Sequence, residues 1–485
     1  MPALPPAARP DSTVPHRLDR VVWSAVLLAA AVLAAPIRAE GQPVLTADRA
    51  SPAGTSQVGP AITLRQVLDS VAARYPTLAA AQARVRAARG QRVTAGTLGN
   101  PMLAYQVENA RFPGGAPVTG MDRENMTTAT LPLAALYHRG ARVSQANAAV
   151  RAAEADARGA RQNAALDAAR AYYRTAVAQV SADAAANLAQ WLDSVVTYNR
   201  TRVGQGVTAE ADLIRSQLER DRAMADAAME SAELARARAD LSVFLGNPDT
   251  AATMFAVALD DVPLGLPAAV ASAVATSPLG SLRVADAVVD RRPDVLAARE
   301  RLAAASAGTA VEQRMLIREL GATVGVKQSA GQNSMIAGLS VPLPLFDQNR
   351  GETTRARAER DAAGFELAMQ ERMARAEVLG TEQAARILTE RVGALAVRDS
   401  AAPSTAYLTR ADEARAIALG AYREGAVPLL QVLDAARAWG EARVTYYRTL
   451  YAQHEAVLAL IVARGDDLAA ALPSLIPAPA GARTR

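Results

Sequence analysis

Residues able to do chemistry are few in this 485-residue chain, and their spacing argues against catalysis. The three histidines, His16, His138 and His454, lie far apart and show no metal-ligand spacing, so no metal site is expected. Cysteine is absent, which excludes disulfides, thiolate metal sites and a lipidated amino-terminal cysteine. Neither a Ser–His pair in nucleophile context nor a phosphate-cradling loop is present, so the chain reads as a non-enzyme without a cofactor. Its arginines alternate with Asp and Glu along helical stretches, as on a solvated coiled-coil face, so the formal charge of +5 does not indicate nucleic acid. Asp434 stands one turn before Arg437, a spacing at which a surface ion pair forms.

With so little chemistry to place, the elements themselves become the informative part. Ala141 to Val203 contains no proline and a single glycine, Gly159. One continuous helix over that stretch would be roughly 95 Å long, about three times the apolar thickness of a bilayer. Val143, Ala146, Val150, Ala153, Ala157, Ala160 and Ala164 follow a 3-4 spacing, which predicts a supercoiled rod with a close partner. The tight turn Val203-Gly204-Gln205-Gly206 follows, and a return helix is expected over 208–245 with a seam of Leu218, Ala225, Ala228, Ala232, Ala235 and Ala239. Upstream, helices are expected from Leu64 to the break at Tyr75-Pro76 and again from Pro76. Apolar and polar residues then alternate over 102–110 and 125–133, the period of strands with one apolar face.

The second half restates the first. Arg291-Arg292-Pro293-Asp294-Val295 follows Arg74-Tyr75-Pro76-Thr77-Leu78 by 217 residues, and Gly425 with Leu433 follows Gly206 with Ile214 by 219. Strands are expected again over 320–328 and 335–343. The division is 1–39 as an export signal, 40–61 as a linker, 62–248 and 279–466 as the two repeats, 249–278 as a connector, 392–412 as an insertion and 467–485 as a tail. Four strands of membrane-spanning length cannot close a barrel, and an open edge in lipid is costly. Three copies would give twelve strands and twelve helices. The fold class expected is therefore an α+β membrane protein: long coiled-coil hairpins plus four transmembrane strands per chain, completing a twelve-stranded barrel and helical tunnel as a trimer.

This arrangement resembles the TolC-type outer-membrane efflux proteins over about residues 62 to 466. The residues carrying the likeness are Arg291-Arg292-Pro293-Asp294-Val295, the run Val341-Pro342-Leu343-Pro344-Leu345-Phe346 with Asn349-Arg350-Gly351-Glu352, and Tyr422-Arg423-Glu424-Gly425 continuing to Val432-Leu433-Asp434. The proline-rich run is most similar to the branch serving cobalt–zinc–cadmium and copper–silver pumps. The resemblance implies a homotrimeric duct in the outer membrane of a Gram-negative bacterium, reaching into the periplasm. It would work with a periplasmic adaptor and an inner-membrane transporter of the RND type. It also implies a periplasmic gate at Gln431 and Asp434, where Asp434 keeps the family's acid and Gln431 does not, and a coil-tying pair of Tyr422 and Asp212. Gly204, Gly206, Val207, Gly425 and Val427 would form the adaptor-docking tip. Two further readings of the same residues stay open: Asp434 pairing with Arg437, and Tyr422 packed in a seam. Organic-toxicant efflux or type I secretion are alternative services for the same duct, and a periplasmic coiled-coil adaptor or scaffold is the distant one.

Overall fold

The computed structural model describes residues 59–110, 122–246, 255–259, 264–265, 288–395 and 406–475. The expected export signal and most of the linker, the connector and the far tail lie outside them. Strand β1 (Gly59–Ile62) opens the chain, followed by α1 (Leu64–Arg74) and α2 (Pro76–Gly96). Thr63 caps α1 in a reciprocal box with Gln66, and Pro76 supplies the helix-opening position of α2. Then come β2 (Met102–Glu108), β3 (Glu124–Pro132), α3 (Ala134–Gly204), α4 (Glu210–Leu245) and β4 (Phe255–Val257). The second half holds α5 (Pro293–Arg314), β5 (Gly321–Ser329), β6 (Gln332–Ser340), α6 (Arg350–Leu395), α7 (Ala406–Arg423), α8 (Leu429–Ala463) and α9 (Leu468–Leu475).

Helix α3 has 71 residues, so it spans about 107 Å. It begins seven residues before the expected start because the chain enters it directly from β3. It packs on α2 and α5 towards the sheet and on α4 and α8 further along. An Arg301–Asp156 pair at 2.6 Å joins α5 to α3, and Thr175 donates to the Ala237 carbonyl of α4 at 3.1 Å.

The expected seams need correcting. On α3 the buried line runs through Ala141, Ala148, Ala152 and Ala155; of the expected seam Ala164 is buried, while Val143, Ala146, Val150, Ala153, Ala157 and Ala160 are only half-buried. On α4 the buried positions are Ser216, Ala223, Leu234, Ala237 and Leu241, and the expected Leu218, Ala225, Ala228, Ala232 and Ala235 all face outwards. Alanine occupies both faces at the same period, so spacing alone could not choose between them.

Four strands form one antiparallel sheet in the order β2-β3-β5-β6. Its register aligns Leu103, Ala129, Val324 and Ala337 in one row, and Tyr105, Thr127, Val326 and Met335 in the next. The opposite face carries Thr130 and Thr323, whose hydroxyls meet at 3.0 Å, and a Glu124–Lys327 ion pair. Strand β6 begins three residues earlier than expected because Ala330 and Gly331 alone make the hairpin, with φ of 49° and 80°. It stops at Ser340, ahead of Pro342.

Gly59–Ile62, expected as linker, pairs in parallel with Phe255–Val257 from the expected connector. Helices α6 and α7 extend into the expected insertion, to Leu395 and from Ala406. Phe255, Leu264, Leu395, Leu468 and Leu472 join Tyr172, Tyr173, Tyr446 and Tyr451 in the largest buried cluster, with half-buried Leu408 packed against it. The Arg291–Val295 motif serves packing: buried Arg292 forks onto Asp294 at 3.0 and 2.7 Å, meets Glu377 at 2.6 Å and donates to the Ala463 carbonyl at 2.8 Å. Burial works against the charge of Asp294, but the Arg292 fork and the Gln370 amide outweigh it and hold its pKa below the ordinary carboxylate value.

Candidate functional site

Two regions stand out, and the first is the pair of turns that end the hairpins. Helix α3 closes with Gly206 at φ 72°, its amide bonded to the Val203 carbonyl and the Val207 amide to that of Arg202. Helix α7 closes identically: Gly425 has φ 76°, its amide reaches the Tyr422 carbonyl and the Ala426 amide that of Ala421. Each is a paired-bond helix stop that favours glycine at the left-handed position. Val207 is exposed and Val427 half-buried, while Gly204 has open space around it.

Behind the turns, Leu192, Val195, Ala223, Tyr422, Leu429, Val432 and Leu433 form a buried cluster binding the two hairpins. Buried Tyr422 donates to Asn199 Oδ1 at 2.6 Å. The tyrosine expected to pair with Asp212 therefore has its hydroxyl on α3 in this chain. Burial is the main cause raising the Tyr422 pKa; the Asn199 bond opposes it and the nearby charge of Asp212 adds to it. Arg202 lies over the Tyr198 and Tyr422 rings, 5.6 and 5.9 Å from their centres.

Asp434 and Gln431 are both exposed, one turn apart on α8. Arg437 stands 3.7 Å from Asp434 but is bonded to Glu219 of α4. The open Asp434–Arg437 pairing is therefore present, at the long end for an ion pair, with Arg437 shared between Asp434 and Glu219. Sequence reasoning missed Asn199, Arg202 and Glu219. A buried asparagine inside a helical seam was the available signal, hidden because its tyrosine lies 223 positions away.

The second region is the sheet. Strands β2 and β6 each pair on one side only, leaving two open edges. Leu103, Tyr105, Leu131, Val324, Val326, Met335 and Leu339 gather on one face, all substantially exposed. No helix among the described residues is long and apolar enough to cross a membrane. The sheet thus presents one apolar face between two unpaired edges.

A sequence profile for outer membrane efflux proteins matches residues 67–247 and 284–466, one match for each half. The chain belongs to that family. This outer membrane efflux protein is 25% identical over 417 residues to the cobalt-zinc-cadmium resistance protein CzcC of Cupriavidus metallidurans, covering 84% of this chain and 92% of that one. It is 28% identical over 349 residues to the nickel-cobalt-cadmium resistance protein NccC of Alcaligenes xylosoxydans xylosoxydans, covering 68% and 73%. Among solved structures, CusC superposes with a TM-score of 0.64 at 18% identity, over 83% of this chain and 92% of its own. The fold is thus that of the TolC-like outer-membrane channels, and the family is one of transport proteins.

Proposed function

We propose that three copies of this chain close into one outer-membrane duct of a metal-efflux assembly. The observation carrying this is the sheet, whose unpaired β2 and β6 edges flank an apolar face. Each open edge would leave backbone groups unsatisfied in lipid, at several kcal/mol each. Joining β6 of one copy to β2 of the next removes both edges and gives twelve strands. The helices support the same closure. The outward alanine line of α4 and the exposed Phe365, Met369 and Met373 of α6 offer apolar faces for a neighbouring copy.

The hairpin turns then form the periplasmic tip. Gly204, Gly206, Val207, Gly425 and Val427 would meet the adaptor, and the adaptor would link the duct to an inner-membrane transporter. Around the threefold axis, Asp434, with Gln431 beside it, would ring the entrance, and Tyr422 near Asp212 would hold the hairpins together. Three carboxylates brought together favour capture of a cation. Arg437, shared with Glu219, offsets one such charge in part. Cobalt and cadmium, which the names of both relatives carry, are the favoured cargo, with zinc named by one and nickel by the other.

Removing the gene should sensitise cells to cobalt, zinc and cadmium while sparing tolerance to organic toxicants; the reverse pattern would rule out metal cargo. In planar bilayers, Asp434→Ala should relieve block by divalent cations. Unchanged block would place Asp434 away from the entrance.

A further inference from the structure

The apolar face of the sheet is too short to cross a membrane alone. On β6 its outward residues are Met335, Ala337 and Leu339, and the row above them turns polar at Asn125, Gln328 and Asn333, with only Val107 of β2 apolar. From Met335 to Leu339 the strand rises about 14 Å, or about 10 Å along the membrane normal at a tilt near 45°. A transmembrane barrel carries an apolar band about 25 Å tall. More than half of the band is missing.

The chain after β6 supplies it. Val341, Leu343 and Leu345 continue the alternate spacing, and Leu343, Leu345 and Phe346 are 75%, 71% and 100% exposed. Met335 to Leu345 reaches at most about 34 Å along the chain, or about 24 Å along the normal. Irregular backbone is normally excluded from lipid because its amides are unpaired. Here Pro342 and Pro344 have no amide hydrogen, and the Leu345 amide donates to the Leu343 carbonyl at 2.8 Å.

The segment is also anchored at its far end. Buried Asn349 accepts from Arg318 at 2.8 Å and donates to the Glu312 carbonyl at 2.7 Å, while its amide donates to Asp347 at 2.9 Å. The other helix–sheet connections add exposed Leu98 and Leu316, and the first turn of α3 adds exposed Tyr137. Arg314 lies 5.9 Å over the Tyr137 ring. Apolar side chains interleaved with guanidinium groups suit the boundary between acyl chains and anionic headgroups.

We infer that Val341–Phe346 is a membrane-interface strap, with Phe346 anchored among the phospholipids of the leaflet nearest the helices. This rests on the reading that the apolar face of the sheet meets lipid, and the test separates the two. Full-length F346W and V324W proteins are reconstituted in phosphatidylethanolamine–phosphatidylglycerol vesicles containing lipids brominated near the carbonyl or near the methyl end of the acyl chain. The parent protein sets the baseline from its own tryptophans. F346W fluorescence should be quenched most by bromine near the carbonyl end, and V324W fluorescence by deeper bromine. Quenching of V324W without quenching of F346W overturns the strap. Acrylamide then tells whether Phe346 faces water or is covered by a neighbouring copy, and either result contradicts the inference. If V324W is itself unquenched, the lipid-facing sheet fails and the strap with it.

Discussion

The two repeats solve one packing problem with different chemistry. Where α1 meets α2 in the first half, the Tyr75 ring stacks on Phe244 near the end of α4, with centroids 5.3 Å apart. The positions corresponding to these by the 217- and 219-residue offsets are Arg292 and Ala463. There the contact is ionic: Arg292 donates to the Ala463 carbonyl and gathers Asp294 and Glu377. Duplication thus preserved the geometry, helix start against return-helix end, while the forces holding it diverged. An aromatic stack is indifferent to pH, whereas a carboxylate network is not.

Removing each anchor is the strongest way to break that comparison. Arg292→Ala leaves two carboxylates without their cation and should cost about 3 kcal/mol, the low end for a buried pair because Glu377 is half exposed. Hydrogen exchange over α5 and the end of α8 would read it; wild-type protection there would mean the network is dispensable. Tyr75→Ala should cost less, about 1.5 kcal/mol, since the ring is only half-buried and loses mainly one stacking contact.

Acid sharpens the contrast. The folded-state pKa of Asp294 is depressed, so its contribution is fully present above the unfolded carboxylate value of about 3.9 and is lost as pH falls below it. The gap between wild type and Arg292→Ala should therefore narrow in acid, while the Tyr75→Ala gap holds. The two turns provide the smallest test, because there the repeats agree. Gly206→Ala and Gly425→Ala should each cost about 1 kcal/mol through the left-handed backbone, and by equal amounts. A marked inequality in urea melts of the two variants would mean that the matching turns carry unlike strain.

The duplication was legible because glycine, proline and strand alternation leave marks that packing does not erase. Tyr75-Pro76, Gly206 and Gly425 fall where the backbone breaks, and the alternating residues of all four strands share one face. The seams were not legible. Ala225 and Ala228 recur with the same period as buried Ala223 and Ala237, and an alanine carries too little apolar area to declare its side. The Tyr422–Asn199 bond was hidden for another reason, since long-range polar partners have no periodicity at all.

The central claim is that one chain supplies a third of a pore wall. Because the sequence lacks cysteine, one introduced on β2 and one on β6 are the only thiols present. With pairs scanned along both edges, oxidation in outer-membrane preparations should yield a covalent species of three chains and nothing larger. Only single-chain product from every pair, or an open ladder beyond three, would contradict the closed twelve-stranded wall.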